Sequence, residues 1–372
     1  MRIVIFCHSL VSDWNHGNAH FLRGVGAELL GRGHELTVLE PRGGWSRANL
    51  VSREGPEAVA EFARHFPLLS SEEYEPATLD LDRVLERADL VLVHEWNAPE
   101  LVARIGRHRA AGGRYVLLFH DTHHRAATAP DDMARVDLSG FDGVLAFGEV
   151  IRRIYLERGW AAQAFTWHEA ADTRVFFPRP APGRREDLVW VGNWGDEERT
   201  RELREFLLAP ARALRLSGSI HGVRYPWRAR WAIRRSGLRY RGWLANHRAP
   251  EAFAAHRFTI HVPRRPYVQA LPGIPTIRVF EALACGIPLI CAPWDDAEGL
   301  FCAGEDYLTV RDGAQMRRAM RELLADEERA AAMAAHGLET IRARHTCAHR
   351  VGELEAIHAQ LAAGAVAGGS LP

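Results

Sequence analysis

The sequence predicts an α/β protein made of two domains, each built around a parallel β-sheet. The chain has 372 residues, more than one ordinary hydrophobic core accommodates. In both halves, short apolar runs alternate with segments of helical spacing, as in parallel strands joined by helical crossovers. A stretch rich in Pro, Gly and Arg at 179–185 separates the halves. We therefore predict domains at 1–176 and 177–362, followed by a flexible tail at 363–372.

Composition and charge disfavour several classes of protein, among them nucleic-acid-binding and membrane-spanning proteins. The 47 basic residues balance 47 acidic ones, so no overall charge excess points to nucleic acid or to an anionic membrane. All 47 basic residues are Arg, so any phosphate site must use Arg, His or backbone amides. The five cysteines lack Cys-x-x-Cys spacing, and Cys7, Cys285 and Cys291 lie in apolar contexts typical of reduced core residues. With Met1 leading directly into an apolar strand and no apolar run near the roughly 18 residues of a spanning helix, we expect a cytoplasmic protein.

The first half shows the strand–helix alternation most clearly. Strands are predicted at 3–6, 34–39, 90–93, 115–119, 143–146 and 164–167, and helices at 20–32, 98–111 and 150–158. The region 45–85 is assigned to connecting helices and loops. Several of these strands are followed at once by polar residues that include His, for example His94-Glu95 and His120-Asp121. Loops are polar in most proteins, but ligands of open parallel sheets bind at the carboxyl ends of the strands, which favours a binding or catalytic edge.

The second half repeats the pattern. Strands are predicted at 188–191, within 213–221, and at 240–243, 258–262, 289–292 and 307–310; helices are predicted from the acidic residues 196–198 to about 208, at 314–324, and over 327–362 with breaks at Gly337 and near His345. The segment 274–289 contains a further helix, in which Pro275 is expected in the first turn. Arg278 near that helix start favours an anion site, and Glu281 is placed to accept hydrogen bonds from neighbouring hydroxyls. Phosphate and vicinal diol together indicate a nucleotide, although a solvated helix glutamate is the simpler alternative.

Several motifs, taken in order, resemble those of a known family. The segment GIPTIRVFEALACGIPLICAPW at 273–294 resembles the donor site of family-4 GT-B glycosyltransferases, and most closely the spore-maturation CgeB-like branch. Other matching pieces are Arg32-Gly33-His34, FHDTHH at 119–124, EAADTRVFFP at 169–178 and VGNWGDEER at 191–199. The resemblance spans about residues 1–355. It implies the GT-B fold, in which two Rossmann-like domains face each other across a cleft and a C-terminal helix packs back toward the N-terminal domain.

The resemblance also implies roles for individual residues. Glu281 matches the glutamate that binds the donor ribose, and His120 matches the histidine beside the transferred sugar. The implied nucleotide contacts are Gly192, Asn193, Arg224, Gly242, Trp243, Leu244, Thr276, Arg278 and Glu281. The expected sugar and acceptor contacts are Gly17, Asn18, His94, Glu95, His123, His168, Glu169, Gly273 and Ile274. The family carries a Glu-x7-Glu pair, and counting back from Glu281 places Gly273 at the first acid, which leaves sugar identity and stereochemistry open. The phosphate-binding Lys of the family is absent, with Arg278, Arg224 and Arg199 as replacements in that order.

The expected reaction is glycosyl transfer from a nucleotide-diphosphate sugar, a co-substrate, with no other cofactor and no metal. Such transfer passes through an oxocarbenium-like state while negative charge develops on the departing diphosphate. Helix N-termini and Arg stabilise such charge, and the sequence has no convincing Asp-x-Asp motif for a divalent ion. His120, Asp121 or His123 would take the acceptor proton, and we predict His120 and Asp121 as the catalytic residues. A zinc site formed by His120, His123 and His124 is disfavoured.

Other functions stay open. A sugar-nucleotide epimerase or a non-catalytic nucleotide-sugar-binding protein would have the same architecture. A pyridoxal-dependent phosphorylase is excluded because the chain has no Lys, and a nicotinamide enzyme is disfavoured because Gly-x-Gly-x-x-Gly is missing after the first strand. The expected partners are a nucleotide sugar and an acceptor that is a small molecule, glycan or protein, with no nucleic acid.

The segment from Arg224 to Arg241 holds seven Arg among four aromatic residues. This composition is found in contacts with nucleic acid or anionic membranes. The favoured interpretation is a solvated helix whose tryptophans pack inward, with at most peripheral membrane contact.

Overall fold

The computed structural model describes residues 1–181, 183–195 and 197–368. Within them the chain forms two compact units, Met1–Glu169 with the helix that starts at Cys347, and Ala170–Thr346. The strands of the first unit are β1 Arg2–Phe6, β2 Glu35–Pro41, β3 Glu72–Tyr74, β4 Leu90–His94, β5 Val116–Asp121, β6 Gly143–Ala146 and β7 Ala164–Thr166; those of the second are β8 Glu186–Val191, β9 Gly218–His221, β10 Arg239–Gly242, β11 His256–His261, β12 Leu289–Cys291 and β13 Leu308–Thr309.

Helices alternate with these strands along the chain. In the first unit they are α1 Ala19–Gly31, α2 Trp45–Glu54, α3 Glu57–His65, α4 Leu81–Leu85, α5 Pro99–Ala110, α6 Arg125–Thr128, α7 Pro130–Met133, α8 Glu149–Glu157 and α17 Cys347–Gly368. In the second they are α9 Thr200–Glu202, a π-helical turn Leu203–Leu208, α10 Ala209–Leu214, α11 Trp227–Ser236, a 3-10 turn Asn246–Arg248, α12 Ala249–Ala254, α13 Arg265–Ala270, α14 Ile277–Ala284, α15 Gly313–Ala325 and α16 Glu327–Arg344.

Both sheets are parallel in every described strand pair. The first has the order β3-β2-β1-β4-β5-β6-β7 and the second the order β10-β9-β8-β11-β12-β13. The central strands are buried along their whole length, as in β4 and β5, because helices cover both faces of such sheets. In each sheet, strands are added first on one side of a central strand, β1 or β8, and then on its other side. Open α/β sheets bind ligands at the point where this direction reverses. The predicted fold class of two Rossmann-like domains is confirmed.

The last helix belongs to the first unit. α17 packs against α1 and β5, the indole Nε1 of Trp167 donates to the carbonyl of Arg350 at 2.8 Å, and Arg32 pairs with Glu355 at 2.6 Å. The predicted return of this helix to the N-terminal domain is therefore confirmed.

The divisions of the chain differ from those predicted. Residues 170–176 belong to the second unit, since the Ala171 amide donates to the carbonyl of His345 at 2.9 Å and Ala171 forms a parallel bridge with Thr346. The helix that begins at Cys347 was predicted in the second domain and lies in the first. That helix also continues through 363–368, where a flexible tail was predicted; the remaining part of that prediction, 369–372, lies outside the described residues.

Four local predictions are wrong, each for a physical reason. Strand β3 was missed because two of its three residues are exposed Glu. The helix predicted from 196–198 begins at Thr200, since Glu197 has left-handed backbone with φ 72°; Asp196 lies outside the described residues. Pro275 precedes the helix cap, because α14 begins after Thr276. Gly337 does not break α16: a Cβ there would lie 2.7 Å from Leu283 Cδ2, so the glycine permits close packing on α14.

The tryptophans of α11 do not pack inward. Trp227 is 72% exposed and Trp231 is 57% exposed, which overturns the favoured interpretation of the Arg-rich segment. Four of the five cysteines are buried, and Cys302 is exposed. Among the described residues, no helix combines the length and the apolar character needed to cross a membrane.

Candidate active site

Three arginines approach one another at the carboxyl edge of the second sheet. Arg199 follows the loop after β8, Arg264 follows β11, and Arg278 lies in the first turn of α14. The pKa of Arg199 is lowered to about 10, first by burial and then by the positive charges of Arg264 and Arg278. Because like charges repel at such a site, an anion placed among the three guanidinium groups would be stabilised by all of them.

Arg199 is held in place by two main-chain carbonyl oxygens and one side-chain oxygen. Its Nη2 donates to the carbonyl and the Oδ1 of Asn193 at 2.9 and 2.6 Å, and its Nη1 donates to the carbonyl of Val262 at 3.1 Å. The guanidinium lies over the ring of Trp190, 5.1 Å from its centroid. Arg264 also reaches Asn193 Oδ1, at 3.4 Å. The buried Nε of Arg199 has no hydrogen-bond partner among the described residues, so one donor remains for a ligand.

Glu281 is fully buried on α14 and is engaged at both oxygens. Asn246, in the 3-10 turn after β10, donates from Nδ2 to Oε1 at 2.7 Å, and Arg278 donates from Nη1 to Oε2. The side chain of Arg278 is 27% exposed, whereas that of Glu281 is 0% exposed. The carboxylate that was predicted to bind ribose is therefore covered by its own neighbours, and a ligand reaches it only when one of them moves.

His261 ends β11 beside the start of α14. Its Nε2 lies 3.0 Å from Thr276 Oγ1, so the Thr276 side chain does not cap its own helix. Burial, and then the charge of Arg199, lower the pKa of His261 to about 3. The ring is neutral at neutral pH, and its buried Nδ1 has no partner among the described residues. With Arg199 Nε, this is a second unpartnered nitrogen at the same edge.

Three glycines bring the loops after β8, β9 and β10 together. The Gly222 amide donates to the carbonyl of Gly242 at 2.7 Å, and a Cβ on Gly222, which has φ 146°, would lie 2.0 Å from the carbonyl oxygen of Gly192. Tyr225 fixes the first loop by donating from its hydroxyl to that same oxygen at 2.8 Å. The predicted nucleotide contacts Gly192 and Gly242 are thus joined through a glycine that the sequence analysis did not single out.

The remaining predicted contacts of this unit lie in the same loops. Trp243 and Leu244 are half-buried residues that follow β10, and Arg224 is an exposed residue of the loop between β9 and α11. Before α14, the Gly273 amide donates to the carbonyl of Asp295 at 2.7 Å, and Trp294 Nε1 donates to the carbonyl of Ile274 at 3.0 Å.

The carboxyl edge of the first sheet contains a pair of neutral imidazoles. His120 Nδ1 and His94 Nε2 lie 3.0 Å apart. Burial, and then the charge of His8, lower the pKa of His94 to about 3. Burial, and then the charge of His94, lower the pKa of His120 well below its ordinary value. His120 is 1% exposed, and its Nε2 has no hydrogen-bond partner among the described residues.

Two buried carboxyl groups stand beside these imidazoles. Asp121 accepts from the Tyr155 hydroxyl at 2.8 Å and from the His123 amide at 3.0 Å. Glu95 accepts from the Thr122 amide at 3.0 Å and from Arg125 Nη2 at 3.0 Å. Burial raises the pKa of each, and the negative charge of Asp121 raises that of Glu95 further. With both oxygens occupied, Asp121 is placed to fix the turn at His123.

A second group of predicted acceptor contacts also meets. Asn18, at the start of α1, donates from Nδ2 to Glu169 Oε1 at 2.9 Å, and the neighbouring Gly17 is exposed while His168 is half-buried. Asn18 and Glu169 are 151 residues apart in the sequence, and the fold brings them together; their role as acceptor contacts stays a prediction.

The loop after β1 is fixed by Glu40, which is 1% exposed. Its Oε1 accepts from the amides of Leu10 and Val11 at 2.7 and 3.0 Å, and its Oε2 accepts from Ser9 Oγ at 2.9 Å. One carboxylate thereby accepts three hydrogen bonds from consecutive residues of this loop.

Sequence reasoning missed four residues of the second unit's site: Arg264, His261, Asn246 and Gly222. Arg264 and His261 could have been found, because His261 lies near the end of the predicted strand 258–262 and Arg264 lies just after it, as do the polar strand-end residues recognised in the first half. No group of three or more His, Cys, Asp or Glu side chains in the described ranges is arranged to hold a metal ion.

Comparisons with known proteins place the fold. Residues 199–356 match the family described as glycosyl transferase-like. A search of curated protein sequences finds no match. Sucrose-phosphate synthase from Thermosynechococcus elongatus superposes with a TM-score of 0.62 at 16% identity, covering 98% of this chain and 100% of the other.

HepE from Anabaena, in complex with UDP and glucose, gives a TM-score of 0.66 at 14% identity and covers 96% and 99% of the two chains. The chain has the GT-B fold. An α-glucosyltransferase in complex with UDP and a 13-mer DNA gives a TM-score of 0.67 at 13% identity, with 96% and 99% coverage. The predicted CgeB-like branch of these proteins is not confirmed and stays a prediction.

Proposed function

We propose that this protein transfers a sugar from a nucleotide-diphosphate sugar to an acceptor, and that Arg199, Arg264 and Arg278 stabilise the departing diphosphate without a metal ion. The observation that carries this proposal is the convergence of three cationic side chains on one sheet edge, where Arg199 Nε and His261 Nδ1 are both buried and unpartnered. Preorganised donors aimed at developing negative charge are the largest single contribution to catalysis in many enzymes. The UDP bound to HepE supports a nucleotide of this class.

Arg278 would act by exchanging partners. In the structure it covers the buried carboxylate of Glu281. A diphosphate offers Arg278 a doubly charged partner, and release of Glu281 Oε2 would then expose an acceptor for the ribose hydroxyls. Phosphate binding and ribose binding are therefore coupled through one side chain, and nucleoside alone would bind weakly.

In the first unit, we propose that His120 takes the acceptor proton. Its ring is neutral at neutral pH, which leaves it able to accept a proton. His94 orients the ring through Nδ1, while Asp121 and Glu95 fix the surrounding turn. The acceptor is a hydroxyl-bearing small molecule, glycan or protein.

Turnover of nucleotide sugars tests the proposal. Wild-type protein is incubated with UDP-glucose, GDP-mannose and ADP-glucose, and released nucleoside diphosphate is measured over time. We expect release from one of these donors, reduced at least tenfold in Glu281→Gln, because a neutral amide accepts the ribose hydrogen bonds less strongly. Glu251→Gln, an exposed residue of α12, is the matched control and keeps full activity.

Two results would count against this function. Binding of a nucleotide sugar without release of diphosphate, even with a panel of acceptors, would indicate a binding protein. Release that is equal in wild type and Glu281→Gln would show that the site lies elsewhere.

A further inference from the structure

Helix α11 has two faces of unusual composition. Its inward face consists of the small or aliphatic residues Ala229, Ile233 and Ser236, all less than 5% exposed. Its outward face carries both of its tryptophans, Trp227 and Trp231, at i and i+4 spacing. Large aromatic residues normally face the core, so an amphipathic helix that turns them outward has a surface suited to a partner.

The outward face is also strongly cationic. Between residues 206 and 250 the chain has ten Arg and no Asp or Glu, although its net charge is zero. Within the described residues, Arg228, Arg234 and Arg235 of α11 form no ion pair, whereas Arg239 pairs with Glu186. The positive charge of α11 is thus not neutralised by the protein and attracts an anionic surface.

The arginines and tryptophans of this face are stacked on one another. The guanidinium of Arg235 lies 4.5 Å from the ring centroid of Trp231, and that of Arg228 lies 5.3 Å from the ring centroid of Trp227. In each pair the guanidinium occupies one face of the indole ring. The edge of the ring remains exposed to solvent.

We propose that the outward face of α11 docks on an anionic phospholipid surface. Tryptophans prefer the boundary between headgroups and acyl chains, where the ring is partly apolar and its N–H stays hydrated. The flanking arginines would contact lipid phosphates, and the buried Ala229 and Ile233 would keep the helix attached to the protein. The donor site and this face belong to the same unit, and the proposal does not depend on the proposed function.

Single-stranded nucleic acid is the principal competitor for such a face. Nucleic acid binding by aromatic residues uses open ring faces on which bases stack, and here Arg228 and Arg235 each cover one face of a ring, which leaves only the other face for a base. Insertion into headgroups requires only the ring edges and leaves the Arg–Trp pairs intact. The geometry therefore favours lipid.

Vesicle flotation of the full chain tests the proposal. The partition coefficient is measured with vesicles of phosphatidylcholine alone and with vesicles that contain equal parts of phosphatidylglycerol. We expect binding to the anionic vesicles that weakens as salt is raised. Each basic residue near an anionic surface contributes about fivefold, so Arg228→Ala/Arg234→Ala/Arg235→Ala would lower the coefficient about a hundredfold. Trp227→Ala/Trp231→Ala would lower it about tenfold through lost apolar burial.

The control removes the same charge elsewhere in the second unit. Arg317, Arg318 and Arg321 are exposed on α15, where no tryptophan accompanies them. Their triple Ala variant should bind vesicles within about threefold of wild type, because α10 packs against both α11 and α15 and separates this charge from the docked face, and salt screens it over that separation. Circular dichroism of each variant confirms that the fold is kept.

Three results would overturn the proposal. The first is no binding to the anionic vesicles. The second is equal loss in the α11 and α15 variants, which would indicate unspecific charge attraction. The third is release of bound protein from vesicles by a short single-stranded oligonucleotide that itself binds more tightly, which would assign the face to nucleic acid.

Discussion

At the carboxyl edge of the second sheet three half-buried arginines lie near one buried carboxylate, whereas the same edge of the first sheet holds buried neutral imidazoles beside two buried carboxyl groups. The second edge retains positive charge because Arg cannot lose its proton near neutral pH. The first edge loses its charge, since burial lowers the pKa of His94 and His120 and raises that of Glu95 and Asp121. Similar folds thus produce one site suited to an anion and another suited to moving a proton.

The loops that form these edges are also fixed differently. In the second unit, the backbone of Gly192 lies so close to Gly222 that there is no room for a side chain at Gly222, whose amide also bonds to the carbonyl of Gly242. In the first unit, the loop after β1 bends around the carboxylate of Glu40. The stability of the second unit's loops should therefore be sensitive to added side-chain volume. The stability of the loop after β1 in the first unit should be sensitive to the loss of a hydrogen-bond acceptor.

The largest expected effect is that of Gly222→Ala. The new Cβ would lie 2.0 Å from the Gly192 oxygen in a backbone conformation with φ 146°, so strain and overpacking together should lower the free energy of unfolding by about 4 kcal/mol. Gly237→Ala is the matched control, with φ 89° and its nearest contact at 3.6 Å, and should cost only about 1 kcal/mol. Urea unfolding measures both, and equal losses would show that the loops are not held by close approach.

The next effect is that of Glu40→Ala in the first unit. The substitution leaves the amides of Leu10 and Val11 buried without an acceptor, which should lower the free energy of unfolding by about 3 kcal/mol. Glu40→Gln keeps one carbonyl oxygen for these amides and should lose less than half as much. If both variants lost the same amount, the negative charge and not the acceptor would fix the loop.

Much of the fold could be predicted from the sequence, because parallel strands and their crossovers have strong periodicity. The polar strand ends at His94 and His120 were recognised for the same reason. Asn246 was harder to identify, since its importance comes from a side chain that is distant in sequence: its Nδ2 donates to Glu281 Oε1. The burial of Glu281 under Arg278 likewise depends on tertiary packing and cannot be predicted from the spacing of residues in the sequence.

The smallest of these effects is the pH dependence contributed by His94. Its folded pKa, about 3, lies below the ordinary value of about 6.5, so below pH 6.5 the unfolded chain binds a proton that the folded chain does not. This contribution to stability is complete above that pH and is lost as the pH falls toward 3. Between pH 6 and 4, the free energy of unfolding of His94→Gln should therefore fall less steeply than that of wild type, by about 1.4 kcal/mol per pH unit. Parallel curves would mean that His94 is protonated in the folded protein.

The most direct test of the anion site is a calorimetric titration of the protein with UDP, GDP and ADP. Arg264 lies in the cluster with Arg199, whereas its neighbour Arg265 is half-exposed and pairs with Glu202. Replacing Arg265 with Ala therefore removes an equal charge one position away, outside the cluster. We predict that wild type binds one of these nucleotides, that Arg264→Ala weakens its binding at least tenfold, and that Arg265→Ala leaves it unchanged. Equal affinities for wild type and Arg264→Ala, or no binding of any of the three nucleotides, would contradict the assignment of this edge to a diphosphate.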